Sequence, residues 1–282
     1  MKEKETIEYL DLKHLVSFRN HPFKLRDGEE KEQLLKSIKA QGTIEPLIVR
    51  PLSESEYEVI SGHRRMEICR ELGIGKLPVI VRNLTDEQAV SMMVDANLHR
   101  ENILPSERAF AYKMKWEAAK KSEKALSQPA TRMRNDDVIA QSFGIGKDTL
   151  HRYIRLTYLI PELLEMIDEG RISLTPAVES SYLTHEEQHL LLNEIEYADA
   201  TPSLSQAQRL RDFSRQGRLT ADVIFAVMSE EKANQKEQIR FPKEELQKYF
   251  PKSYTGKDMQ NTILKLLEKW QRQRERNARE ER

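Results

Sequence analysis

Hydrophobic positions along the chain change their spacing twice, and each change predicts a different architecture. Up to about residue 100, short apolar runs alternate with helical stripes. Leu34, Leu35 and Ile38 share one face of a helix expected over Glu29–Gln41, which stops at Gly42. Pro46–Val49 and Tyr57–Ile60 read as strands. Ser61 and Gly62 turn the chain into a helix over His63–Leu72, closed by Gly73, and Leu77–Val81 is a further strand. Thr85 with Gln88 three residues later forms a capping box for a helix running to about His99. This order of strand, glycine turn, helix and strand suggests a small α/β unit.

Pro105 and Ser106 start a helix to about Lys121, and the polar stretch Ser122–Asn135, which contains Pro129, reads as a flexible basic linker or exposed loop. Beyond it the spacing is helical throughout. Asn135 can cap a helix with Asp136 and Asp137 in its first turn and Val138, Ile139 and Phe143 along it. Gly144-Ile145-Gly146 breaks that helix. Lys147–Leu159 forms the next, with Leu150, Ile154 and Tyr158 inward. Pro161 opens another, ended by Gly170; Thr184 with Glu187, and Ser205 with Gln208, cap two more, the last closed by Gly217.

The last portion differs again. Ile239–Phe241 reads as a short strand and Lys243–Phe250 as a short helix between prolines. Lys257 to about Glu280 is a long amphipathic helix with Met259, Ile263, Leu266, Leu267 and Trp270 on one face. The expected division is 1–121, 122–217 and 218–282, with no internal repeat.

Composition narrows the class. About a third of the 282 residues are charged, but Lys+Arg and Asp+Glu both number 46, so any basic surface is local. The single cysteine, Cys69, excludes an internal disulfide and a Cys-based zinc site, and fits a reducing cytosol. The charged start, Met1–Asp11, is not a signal peptide, and no apolar run is long enough to span a membrane.

The helix, Gly turn, helix arrangement around Gly144 has the geometry that places a recognition helix in a major groove. Its second helix carries Lys147, Asp148, Thr149, His151, Arg152 and Arg155 off the Leu150/Ile154 face. Lys147 and Arg152 suit phosphates, whereas Thr149, His151 and Arg155 suit base edges. The competing reading is an ordinary helical hairpin with a solvated basic face. Earlier in the chain, Gly62 permits close backbone approach to a ligand, and the helix it precedes offers free N–H groups and a favourable dipole to an anion. Arg64 and Arg65 add charge-assisted bonds to phosphate oxygens, and Asn97 and Arg100 can add polar contacts. Here the competing reading is a plain turn followed by two solvated arginines.

Three segments in order resemble the N-terminal domain of the ParB family: Gly42-Thr43-Ile44-Glu45-Pro46-Leu47-Ile48-Val49-Arg50, Ser61-Gly62-His63-Arg64-Arg65 and Ala96-Asn97-Leu98-His99-Arg100-Glu101-Asn102 with Pro105. The helix-turn-helix falls where that family has its own, and the resemblance runs from about Leu15 to Leu183. It implies an α+β protein: a small ParB-like N-terminal domain, an all-α helix-turn-helix domain and a C-terminal helical oligomerisation segment. It further implies a pocket for CTP with Mg2+ at Thr43, Gly62, His63, Arg64, Arg65, Asn97 and Arg100. It implies a homodimer on a palindromic, centromere-like double-stranded site, a clamp that closes with CTP, a ParA-like ATPase partner engaging Met1–Glu8, and a nucleoid-associated location.

Two departures bear on the chemistry. His63 stands where many members carry an acidic residue. Ala96 stands where the family usually has a Glu linked to magnesium and hydrolysis, so CTP binding is expected to survive better than turnover. The alternatives are a helix-turn-helix regulator with a degenerate nucleotide domain, or an active CTPase or nuclease. The altered third motif favours a plasmid or mobile-element origin.

No catalytic residue and no metal set is assigned: His63 and His99 lack further ligands at useful spacing, and Ser61 lacks an activating base. A sulfiredoxin-like reading fails because Gly62 stands where the reactive cysteine belongs. At the C-terminal helix, Ile263, Leu266, Leu267 and Trp270 suit a dimer interface, against packing on Tyr249 and Phe250 of the same chain. The arginines that follow, interleaved with Glu, suit a non-specific DNA contact or a solvated helix end equally.

Overall fold

The computed structural model describes residues 6–23, 28–42, 45–98, 103–125, 132–230, 246, 248–251 and 254–280. The chain divides into two compact units, residues 1–230 and 231–282. The strand expected over Ile239–Phe241 lies outside the described residues, as do Lys243, Glu244, Glu245 and Gln247 of the helix expected over Lys243–Phe250.

The first unit opens on a five-stranded mixed sheet: β1 (Ile7–Asp11), β2 (Leu15–Ser17), β3 (Leu47–Pro51), β4 (Tyr57–Ser61) and β5 (Lys76–Val81), in the spatial order β1-β5-β3-β4-β2. β3 lies at the centre, antiparallel to β4 and parallel to β5. The sheet's inward positions are Leu47, Val49, Val59, Leu77 and Val79. These close against Ile38 of helix α1 (Glu29–Gln41) and Met66, Ile68 and Cys69 of α2 (His63–Glu71). The edge strands β1 and β2 are not legible as strands: in β1, Ile7 and Tyr9 point to solvent, and β2 is only three residues long with Leu15 alone buried, so no apolar period marks either.

Helix α3 (Asp86–Leu98) starts at the expected Thr85/Gln88 capping box, with both reciprocal bonds made. Its Ala89, Met93 and Val94 share a core with Ile60 of β4. Helix α4 (Pro105–Ala125) then connects the sheet layer to the helical layer, packing on α3 and on later helices. It runs four residues past the expected Lys121, and α5 (Arg132–Ser142) starts before Asn135. The stretch expected to be linker is therefore partly helical, since its Ser, Lys and Ala residues carry no strong helix penalty.

Gly144, at φ +67°, ends α5, with the Ile145 amide returning to the Ala140 carbonyl at 3.0 Å. Helix α6 covers Lys147–Leu156, shorter than the expected Lys147–Leu159, and a turn over Thr157–Leu159 follows. Leu150 and Ile154 are inward as expected, but Tyr158 is exposed because it lies beyond the helix end. Tyr112 of α4 completes the small core formed by Ile139, Ala140, Leu150 and Ile154.

The largest core belongs to the remaining helices, α7 (Pro161–Asp168), α8 (Leu174–Ser180), α9 (His185–Ala198), α10 (Leu204–Arg215) and α11 (Ala221–Met228). The Thr184/Glu187 box caps α9 as expected. Ser203 with Gln206, not Ser205 with Gln208, caps α10. Both pairs fit the same spacing, and the register is decided by Ala207 and Leu210, which are fully buried. Helix α11 lies beyond the boundary expected at 217/218 and buries Ile224, Val227 and Met228 in this core.

The second unit is described chiefly by α12 (Gly256–Glu280). Met259 is buried, whereas Leu266, Leu267 and Trp270 are 59%, 53% and 57% exposed, and Ile263 is half-buried. Tyr249 is exposed, and Phe250 meets the ring of Tyr254 at 5.8 Å.

Candidate functional site

The turn between β4 and α2 is built by a residue type and a conformation together. Gly62 sits at φ +102°, ψ 18°, in the left-handed region. A Cβ there would lie 2.8 Å from Leu47 Cγ and 3.3 Å from an Arg65 side-chain nitrogen. Neither the torsion nor the space admits a side chain, so backbone is what this turn presents. The first amide of α2 to find a helical carbonyl is that of Met66, which reaches Gly62 at 3.0 Å. The amides of His63, Arg64 and Arg65 precede that bond and form the electropositive end of the helix.

The side chains around the turn are placed unequally. His63 is 8% exposed and turned into the protein. Its Nε2 accepts the Phe18 amide at 3.2 Å, and its ring lies 3.8 Å from that of His21. Burial, reinforced by the neighbouring His21, pushes its pKa down to about 3 despite a backbone hydrogen bond at Val59. His63 is therefore a neutral strut, and only its backbone faces the turn.

Arg64 pairs with Glu30 at 3.0 Å, and its Nε is buried with no hydrogen-bond partner among the described residues. Arg65 donates to the Glu45 carbonyl and reaches the Pro46 carbonyl and the Glu45 carboxylate, each at 3.5 Å. Burial lowers its pKa, with Glu45 opposing the shift. Arg65 thus ties the first of the three sequence segments to the second.

On α3, the Asn97 amide returns to the Met93 carbonyl at 2.8 Å, and Ala96 is exposed. Asp95, the nearest carboxylate to Ala96 in the chain, is committed to Lys115 at 2.7 Å and to the Ser91 hydroxyl at 3.1 Å. Thr43 and Arg100 lie outside the described residues, as do His99 and Glu101. No three His, Cys, Asp or Glu groups cluster to hold a metal ion among the described residues. Cys69 is buried in the sheet core, and burial pushes its thiol pKa up, the reverse of an activated nucleophile.

Helix α6 presents the second set. Lys147, Asp148 and Thr149 form its first turn. His151 Nε2 lies 3.0 Å from Asp136 Oδ2, and the other oxygen of Asp136 accepts the Trp116 indole N–H at 2.8 Å. Arg152 donates to the Thr175 hydroxyl at 2.5 Å. Arg155 donates to the Ser181 hydroxyl and carbonyl at 3.1 and 2.6 Å, and its guanidinium lies over the rings of Tyr182 and Tyr158, at 4.0 and 4.6 Å. An open cleft of about 300 Å³ runs along these residues, lined by His151, Arg152, Arg155, Tyr158, Val178 and Tyr182.

Sequence reasoning missed Asp136, Trp116, Thr175, Ser181 and Tyr182. All reach α6 across the fold, between 15 and 35 positions away, where no local pattern points to them. No helix among the described residues is long and apolar enough to cross a membrane.

The family model for the ParB N-terminal domain matches residues 1–98. The chain is 33% identical over 169 residues to the nucleoid occlusion protein of Lysinibacillus sphaericus (strain C3-41), covering 60% of this chain and 52% of the relative. To the nucleoid occlusion protein of Geobacillus sp. (strain WCH70) it is 31% identical over 195 residues, 69% of this chain and 65% of the relative. To the probable chromosome 1-partitioning protein ParB of Deinococcus radiodurans it is 30% identical over 171 residues, 61% of this chain and 54% of the relative. The chain thus spans between about half and two thirds of the length of these relatives. Among solved structures, the C-terminally truncated chromosome-partitioning protein ParB of Caulobacter crescentus complexed to the centromeric parS site aligns with 74% of this chain and 99% of its own. The TM-score is 0.41 and the identity 20%.

Proposed function

We propose that this chain is a ParB-family protein, a sequence-specific DNA-binding partition protein whose grip on DNA responds to CTP. The observation that carries this is the presence, in one compact unit, of two separate glycine-led helix starts, the Gly62 turn into α2 and the Gly146 turn into α6. One suits a nucleotide and the other DNA.

The Gly62 turn fits a triphosphate on its own terms. It is a backbone cradle that excludes a Cβ, beside a buried Arg64 nitrogen with no partner among the described residues. The guanidiniums of Arg64 and Arg65 pair with Glu30 and Glu45, carboxylates that are 63% and 82% exposed. Exposed ion pairs contribute little, so a phosphate can displace them. Gly62, Arg64 and Arg65, with Thr43, Asn97 and Arg100 from the flanking segments, are the residues that would hold CTP and its Mg2+. His63 supports the turn from beneath.

Bound CTP supplies negative charge that links the first two segments to α3. Closure of two copies follows only if CTP binds the closed arrangement more tightly than the open one. With Ala96 exposed and Asp95 committed to Lys115, no carboxylate of this segment is placed to orient water among the described residues, so its part is binding and its hydrolysis is weak.

On DNA, Lys147 and Arg152 take phosphates while Thr149 and His151 face base edges. Arg155, clamped by Tyr158, Tyr182 and Ser181, holds α6 on the α8 segment. Leu266, Leu267 and Trp270 form the homodimer face that matches a palindrome. The protein acts at the nucleoid, with a ParA-like ATPase as partner. The name nucleoid occlusion protein, borne by the Lysinibacillus and Geobacillus relatives among others, makes that role the second reading. Loss of the host replicon on deletion of the gene favours partition; faithful inheritance favours the second.

The test follows retention of labelled protein on DNA carrying its selected site, with open or blocked ends, in each nucleoside triphosphate. A clamp slides off open ends and stays on blocked ones. Retention that requires blocked ends and CTP is expected. Site binding indifferent to ends and to nucleotide would leave a plain regulator instead.

A further inference from the structure

We infer that Asp136 sets the hydrogen-bonding polarity of His151 and so decides which base α6 accepts at one position of its site. The inference rests on the DNA-binding reading above and adds a residue that acts through another.

A neutral imidazole has one N–H donor and one acceptor nitrogen, and its environment chooses which is which. Asp136 is a carboxylate, an acceptor only, and its Oδ2 lies 3.0 Å from His151 Nε2. Nε2 must therefore carry the hydrogen. In the neutral ring that leaves Nδ1 as the acceptor, and it makes no hydrogen bond among the described residues. The side chain is 41% exposed on the helix face that would meet DNA. In a major groove, a lone acceptor is satisfied by the amino group of cytosine or adenine, and it repels the acceptor edges of guanine and thymine O4.

The carboxylate is not free to turn away. Its other oxygen accepts the Trp116 indole N–H at 2.8 Å, and an indole can only donate. Trp116 on α4 thus fixes which edge of residue 136 faces the histidine. This makes one substitution unusually informative. In Asp136→Asn the amide oxygen must stay with Trp116, so the amide nitrogen is turned to His151. An NH2 group there can only donate. Nε2 becomes the acceptor, and the hydrogen moves to Nδ1. The ring then offers the groove a donor instead of an acceptor, with almost no change in shape.

The experiment selects binding sites from random duplexes with the full-length wild type, Asp136→Asn and His151→Ala. Wild type is expected to prefer cytosine or adenine at one position of each half-site. Asp136→Asn moves that position towards guanine or thymine, with a change in relative affinity on the order of three- to tenfold. His151→Ala flattens the same position, and preferences elsewhere stay. Affinity for non-specific DNA, set by phosphate contacts, is not weakened in Asp136→Asn, which removes a negative charge and no phosphate contact. A purely structural role for Asp136 weakens every position together and overturns the inference. So does an unchanged preference in either variant. Failure of the wild type to enrich any sequence overturns the DNA-binding reading itself, which is a different result. Nitrogen-15 spectra of the wild-type histidines provide a test that needs no variant: the hydrogen of His151 is expected on Nε2, and its presence on Nδ1 contradicts the inference.

Discussion

Asp168, at the C-terminal end of α7, accepts both the amide of Ser106, at 2.9 Å, and its hydroxyl in the first turn of α4. A carboxylate at a helix C-terminus opposes that helix's dipole, but at a helix N-terminus it satisfies orphan amides. Asp168 is thus placed for α4 rather than for α7, and it locks the connecting helix to the helical layer. Replacement by Ala is expected to cost about 1–3 kcal/mol, since it strands a part-buried amide. Ser106→Ala, which keeps the amide bond, costs about half as much. Urea midpoints at constant slope measure both. Equal stability of wild type and Asp168→Ala would remove this lock from the account.

Gly62 and Gly170 both lie at positive φ, at +102° and +74°, but only Gly62 is crowded. Gly170→Ala carries the torsional strain alone, about 1 kcal/mol. Gly62→Ala adds the collision with Leu47 and is expected to cost about 2–4 kcal/mol. The same denaturation series compares them. Equal costs would mean that the Gly62 turn relaxes freely and is not the tight cradle described.

His63 links stability to pH. Its pKa falls from 6.5 in the unfolded chain to about 3 in the fold. Between those values the unfolded chain binds the extra proton, so stability rises with pH through this window and is lost as pH falls from about 6.5 towards 3. Between pH 6.5 and 5 wild type is expected to lose about 2 kcal/mol from this group, roughly 1.4 kcal/mol per pH unit. His63→Asn has lower stability at pH 7 but lacks this slope. Parallel pH profiles for the two proteins would contradict a buried neutral histidine.

Leu266, Leu267 and Trp270 leave more than half of each side chain exposed on α12. Such an apolar stripe favours association. Light scattering is expected to show a dimer for wild type and a monomer for Leu267→Arg with unchanged helix content. A wild-type monomer at micromolar concentration would assign the stripe elsewhere.

Legibility in the sequence followed the range of the interactions. Capping boxes at Thr85 and Thr184, the stops at Gly42 and Gly144, and the strands β3 to β5 are local patterns, and each was read correctly. Where two local patterns competed, as for Ser203 and Ser205, tertiary burial of Ala207 and Leu210 chose between them. β1 was illegible because an edge strand with outward apolar residues has no inward period to detect, and β2, three residues with only Leu15 buried, is too short to show one. At the sites, residue types gave the Gly62 turn and the polar face of α6. Sequence gave no sign that His63 points inward, that Arg65 ties down Glu45, or that Tyr158 and Tyr182 enclose Arg155. Those facts depend on contacts between distant segments.

The central claim, that the Gly62 turn binds CTP, is tested most directly by calorimetric titration of the full-length protein. CTP with Mg2+ is compared with ATP, GTP and UTP, and Arg65→Ala serves as the control. Saturable binding of CTP alone is expected, lost in Arg65→Ala while circular dichroism shows the same helix content as the wild type. Absence of CTP binding, with and without DNA carrying the selected site, would contradict it and leave α6 as the functional element of the first unit.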